Sequence, residues 1–123
     1  MLARIALTAF AILSTLAAAV AEERIQRFTS DVTVERNGDL QVTETISIRA
    51  EGRQIKRGIL RDFPTTYRRA DGARVEVGFD VQSVERDGQS EGFATERMAN
   101  GVRVRIGRGD RTVNPGVHQY VIR

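Results

Sequence analysis

The sequence predicts an all-β chain, an antiparallel β-sandwich-like domain with short hairpins, preceded by a signal peptide. Three observations predict it. Apolar and polar residues alternate with a period of two through most of the chain after residue 21, and 3.6-residue patterns are scarce. All eleven glycines lie beyond that point, mostly at the breaks between alternating runs. The first 21 residues have a different character, with an apolar run where the rest of the chain alternates.

That opening segment carries one positive charge, Arg4, then an apolar run from Ile5 to Leu16 diluted only by Thr8, Ser14 and Thr15. Ala17-Ala18-Ala19-Val20-Ala21 follows, before Glu22-Glu23. This is the order of a Sec signal, and the small residues Ala19 and Ala21 place cleavage after Ala21. An uncleaved anchor is the alternative, because the run approaches the lower limit for spanning a bilayer, about 17 residues. The expected organisation is a signal peptide over 1–21 and one extracytoplasmic β domain over 22–123, in the periplasm or at the cell surface.

In the mature part, Phe28, Val32 and Val34 share one parity, as do Leu40, Val42, Ile46 and Ile48 beyond the break at Arg36-Asn37-Gly38. A two-residue Asn37-Gly38 loop would put the two apolar rows on opposite faces. A three-residue loop with Gly38 in the left-handed bulge position pairs Val34 with Leu40 and Val32 with Val42. Glu51 to Asp71 is irregular and reads as a loop or a brief helix. Val75, Val77, Phe79 and Val81 alternate as a strand that slips phase at Ser83, so that Val84 takes over, consistent with a bulge near Gln82-Ser83. Phe93 to Met98 is the next candidate strand, and Ala99-Asn100-Gly101 turns into Val102 to Ile106. A two-residue loop there, setting Glu96 across from Arg105, is favoured on charge over a three-residue loop that pairs Met98 with Val102. Asn114-Pro115-Gly116 is a turn, and a last strand begins at Val117 and is cut short by the chain end.

Composition excludes several functions. There is no cysteine, so no Cys-ligated metal or redox centre, and His118 is the only histidine. No nucleophile elbow, phosphate loop or metal-ligand spacing is present, so no catalytic, metal or cofactor residue is assigned. The formal net charge is +3, from 19 basic and 16 acidic residues, and falls by one if Arg4 leaves with the signal. Because the two signs are interspersed, no nucleic-acid partner is expected.

The segment Gln54 to Tyr67 mixes charged, apolar and aromatic residues in a way that is unlike a surface loop. Lys56, Arg57 and Arg61 are the candidate anion- or partner-binding cluster, since guanidinium groups meet carboxylate or phosphate bidentately. In the competing structural reading, Ile55, Ile59, Leu60 and Phe63 plug one end of the fold while Asp62 pairs with a neighbouring arginine. Arg103, Arg105 and Arg97 form a row on the outer face of one hairpin, of the kind that opposite charges on neighbouring strands commonly neutralise.

The run Ile55-Lys56-Arg57-Gly58-Ile59-Leu60-Arg61-Asp62-Phe63-Pro64-Thr65 resembles the signature of the predicted membrane proteins that carry domain of unknown function 2207 (DUF2207). So do Glu23-Arg24-Ile25 with Asp31-Val32-Thr33-Val34, Gly38 to Glu44, and Val104-Arg105-Ile106-Gly107 followed by Pro115 to Tyr120. The resemblance implies a signal peptide, an extracytoplasmic β domain, and transmembrane helices further along with a low-complexity tail. It supplies no catalytic residues, because the family has no established activity. The sequence stops at Arg123 inside a strand with no later helices, so a fragment is expected.

The function expected is that of a noncatalytic binding or assembly module, not an enzyme, membrane-associated in the full-length family. Its partners would be an envelope protein or the membrane surface, without cofactor. The alternatives are a hydrolase or other enzyme in which Asp62 converges with Glu44 or Asp80, and a purely structural spacer domain.

Overall fold

The computed structural model describes residues 22–123, so the signal peptide and its cleavage site at Ala21 lie outside the described residues. Ten strands follow in chain order: β1 Arg24–Val34, β2 Leu40–Ala50, β3 Gly58–Pro64, β4 Thr66–Arg68, β5 Arg74–Glu76, β6 Val84–Arg86, β7 Gln89–Ser90, β8 Phe93–Arg97, β9 Gly101–Gly107 and β10 Gly116–Ile122. There is no helix among the described residues. Every pairing is antiparallel, in an open five-stranded sheet ordered β1-β2-β10-β6-β7, a three-stranded sheet β3-β9-β8, and the separate β4-β5 pair.

The β1–β2 hairpin has the register that parity demands, Val32 opposite Val42 and Val34 opposite Leu40. Glu35 N–H donates to the Asp39 carbonyl at 2.8 Å, closing a loop of Arg36, Asn37 and Gly38, with Gly38 at φ +92°. That left-handed conformation is open to glycine at little cost. The Asn37 side chain adds to the turn by accepting the Asp39 N–H at 3.0 Å.

Three expectations are corrected. The stretch from Glu51 to Asp71 holds strands β3 and β4 instead of a loop or helix. Its alternation is concealed because the row Ile59, Arg61, Phe63 turns inward with an arginine at its centre, while Leu60 is exposed. The β8–β9 register sets Glu96 across from Arg103 and Arg97 across from Val102, two residues from the favoured pairing of Glu96 with Arg105. Met98 N–H donates to the Gly101 carbonyl at 2.8 Å, so the two loop residues are Ala99 and Asn100. Gly101 belongs to β9 because it lies opposite Pro64 of β3, where a Cβ would stand 2.0 Å from the Phe63 carbonyl oxygen. Glu96 still reaches Arg105, as a diagonal neighbour, at 3.6 Å. Finally, Val77 to Val81 alternates but pairs with no strand. It crosses from β5 to β6, held by Val77 N–H on the Thr65 carbonyl at 2.9 Å and by the Phe79 ring, 4.9 Å from that of Phe63. The phase change does deliver Val84 to the interior, at 2% exposure.

One buried cluster draws on both larger sheets. Ile46, Ile48 and Ala50 of β2, Val84 of β6, and Tyr120 and Ile122 of β10 come from the first, Val104 and Ile106 of β9 from the second, and Val113 from the β9–β10 connection. Ile55, Ile59, Phe63 and Val81 pack around it. Burying each large aliphatic side chain contributes about 1.5–3 kcal/mol, so this cluster is the main stabilising feature. Tyr120 is fully buried, and its hydroxyl has no hydrogen-bond partner. Burial pushes the phenol up to about 12.

The core ends before the sheet does. Strands of eleven residues are roughly 35 Å long, against roughly 24 Å for the seven-residue strands β3, β9 and β10. Along β2 the inward row is buried from Glu44 to Ala50, but Leu40 is 58% exposed. On the same face of β1, Phe28, Val32 and Val34 are exposed as well. The tip of the hairpin therefore overhangs the core with its apolar face bare.

Candidate binding surfaces

The structure separates the three candidate cations. Lys56 and Arg57 sit exposed in the β2–β3 connection, whereas Arg61 lies within β3 and turns inward. The Arg61 guanidinium grips buried Glu44 through two hydrogen bonds, Nε to Oε2 at 2.8 Å and Nη2 to Oε1 at 2.6 Å. It also stacks 4.2 Å from the Phe63 ring centroid and lies 5.5 Å from that of Phe28. Arg61 thus supplies the positive charge that a carboxylate at the edge of the core needs.

Two of the other charged residues named from sequence, Asp62 and His118, also have partners. Asp62 accepts two hydrogen bonds from Arg103, at 2.7 and 2.9 Å, and that contact holds its carboxyl below the usual range. Glu44 and Asp62 are therefore each bound to a different arginine, and Asp80 is exposed in the β5–β6 crossing. His118 uses both ring nitrogens, 2.6 Å from Asp87 Oδ2 and 2.6 Å from the Asn114 carbonyl, tying the β6–β7 turn and the β9–β10 connection to β10. A shallow cavity of about 250 Å³ lies between the β4–β5 hairpin and the β8–β9 turn. Its charged lining residues, Arg74, Glu76 and Arg97, are all exposed.

Two features escaped the sequence. The first is Glu23, whose carboxylate accepts four backbone N–H groups of the β2–β3 connection: Glu51 and Arg53 on Oε1 at 3.0 and 2.8 Å, Gln54 and Ile55 on Oε2 at 2.7 and 3.1 Å. Successive amides turned toward one anion form a backbone nest. Desolvation alone would raise the acid's pKa, but the four amides together outweigh it and bring it down to about 2, from 4.5. Ionised Glu23 therefore stabilises the fold above pH 4.5, and that contribution is lost as pH falls toward 2. Glu23→Gln is expected to lower the unfolding midpoint at neutral pH and to converge on the parent protein near pH 2, as thermal unfolding across that range would show. No sequence motif marks such a nest, because its donors are backbone.

The second is the bare face of the β1–β2 hairpin, Phe28, Val32, Val34 and Leu40. Their alternation is plain in the sequence, but whether anything covers them is not. Only the mismatch between eleven- and seven-residue strands signals the overhang.

Comparison with known proteins places these features in context. Residues 24–123 match the family model described as Predicted membrane protein (DUF2207) N-terminal domain. Among curated proteins, the chain is 29% identical over 101 residues to the Uncharacterized protein YciQ of Escherichia coli strain K12. The match covers 82% of this chain and 16% of that relative's length. No solved structure matches. No helix among the described residues is long and apolar enough to cross a membrane.

Proposed function

The chain belongs to the DUF2207 family of predicted membrane proteins, and on that premise we propose that it is a noncatalytic assembly module. It is a sandwich-like β domain held outside the cytoplasm, where it docks a polypeptide partner beside the membrane. The observation that carries this reading is the overhanging hairpin face. Phe28, Val32, Val34 and Leu40 are 48%, 52%, 70% and 58% exposed on one face of two adjacent strands. Contiguous apolar surface of this kind marks an interaction site.

The partner's chemistry follows from the strand itself. β1 is the edge of its sheet, so one side of its backbone presents alternating N–H and C=O groups without a strand beside them. Another polypeptide strand satisfies such an edge, with apolar side chains to match the row beneath it. Lipid headgroups do not offer that alternation.

The test is site-specific photocrosslinking of the full chain in cells, with the probe at Val32 on the bare face or at Thr33 on the opposite one. The expected result is a discrete polypeptide adduct from Val32, absent from Thr33 and lost when Leu40→Glu is added. Leu40→Glu should leave stability within about 0.5 kcal/mol of the parent, as exposed substitutions do. Adducts of equal yield from both faces, or none from Val32, would overturn the reading.

A further inference from the structure

We propose that the end of the molecule carrying the β2–β3 and β9–β10 connections faces the membrane, where Arg24, Arg53, Lys56, Arg57 and Arg111 bind anionic phospholipid headgroups. This uses a different surface from the hairpin face and stands independently of that reading.

Topology brings these residues together. β1 begins, β2 ends, β3 begins, β9 ends and β10 begins at the same end, as the pairs Arg24 with Arg49, Ala50 with Gly116 and Gly58 with Gly107 require. The two connections touch there, with Val113 N–H donating to the Lys56 carbonyl at 2.7 Å.

The charge balance at this end favours an anionic ligand. The Glu23 carboxylate is taken up by four amides. Glu51 lies 3.6 Å from Arg49, Asp110 lies 3.1 Å from Arg108, and Asp87 is held by His118 and the Gln119 N–H. Of the acids here, Glu22 alone is without such a partner among the described residues. Arg24, Arg53, Lys56, Arg57 and Arg111 are exposed and have no ion pair among the described residues. These five cations outnumber the acids here that have no arginine partner, Glu22, Glu23 and Asp87, and all but Arg24, the first residue of β1, sit in the two connections.

Position in the chain selects this end over the others. The apolar run of the sequence stops at Ala21, and Glu23 is pinned to the β2–β3 connection two residues later. Two residues span at most about 7 Å, less than the roughly 8 Å over which charges act at physiological salt. While that apolar segment is held in the membrane, before cleavage after Ala21 or as an uncleaved anchor, the membrane lies within electrostatic reach of Arg53, Lys56 and Arg57. Each cation at an anionic surface contributes roughly fivefold to partitioning.

The chain contains no tryptophan, so a single introduced one reports its own surroundings. Full chain carrying Thr112→Trp, in the β9–β10 connection, would be reconstituted with vesicles of phosphatidylcholine alone or of phosphatidylcholine with phosphatidylglycerol, each doped with a headgroup-level nitroxide lipid. Quenching is expected to be several-fold stronger with phosphatidylglycerol than with phosphatidylcholine alone, the excess being relieved by salt and lost in Lys56→Glu, Arg57→Glu, Arg111→Glu. If that triple variant does not fold by circular dichroism, Lys56→Gln with Arg57→Gln is the milder substitute and is expected to weaken quenching by at least about tenfold in lipid titration. Ala70→Trp, on the β4–β5 turn near Arg68 and Arg74, is expected to remain unquenched. Equal quenching in both vesicle types, quenching unaffected by the charge changes, or quenching at Ala70→Trp in place of Thr112→Trp would overturn the assignment.

Discussion

Arg61→Ala is expected to destabilise the domain by about 3–5 kcal/mol, because it strands a carboxylate at the margin of the core. The Glu44 side chain is 7% exposed, and Arg61 supplies its two shortest contacts. Truncation also removes a guanidinium stacked on Phe63 and near Phe28, so packing is lost along with charge. Removing both partners is a different experiment. Glu44→Leu combined with Arg61→Leu leaves no charge to desolvate and should recover most of the loss, as buried pairs replaced by apolar residues commonly do. Urea unfolding of the parent, the two single leucine variants and the double gives the coupling directly. A loss below about 1 kcal/mol in Arg61→Ala, the range of exposed ion pairs, would show that Arg61 is free to serve a ligand.

Gly107→Ala is expected to cost about 3 kcal/mol or more and to part the ends of β3 and β9. Gly107 has φ +127°, and a Cβ there would stand 2.0 Å from the Arg57 carbonyl oxygen. Its partner Gly58, at φ +155°, meets the Ile106 carbonyl oxygen in the same way at 1.7 Å. Both obstacles are backbone, so no side chain can swing aside, and the positive φ adds strain for any residue with a Cβ. Hydrogen exchange would show faster opening at the first residues of β3 than at Val104, with lowered global stability. Unchanged exchange at Ile59 would contradict the close approach.

The legibility of the sequence depended on what each residue had to satisfy. The β1–β2 hairpin could be read to the residue because Asn37-Gly38 fixes the turn and apolar parity admits one register. β3 was hidden by Arg61, which occupies an inward position only because Glu44, 17 residues earlier, meets it there. Gly101 looked like a turn residue but is a strand residue, required small by the backbone of β3. Val77 to Val81 shows the converse, since alternation records sidedness and not the presence of a neighbouring strand. Lys56 and Arg57 are legible as members of a basic cluster, but their nearness to Glu23 is not, because the contact runs through main-chain amides.

The place of β10 has a consequence for how the domain comes into being. This strand, the tenth among the described residues, lies between β2 and β6 in the middle of the five-stranded sheet. It contributes Tyr120 and Ile122 to the core, and it pairs with residues some seventy positions earlier, His118 with Ile48. Until Gly116–Ile122 is available, the sheet has only the local β1–β2 hairpin on one side and short pieces on the other, and two-stranded hairpins are marginal by themselves. Folding must therefore wait for a distant closure, which is intrinsically slow. That delay leaves the β1–β2 hairpin without its central neighbour until Gly116–Ile122 docks beside it.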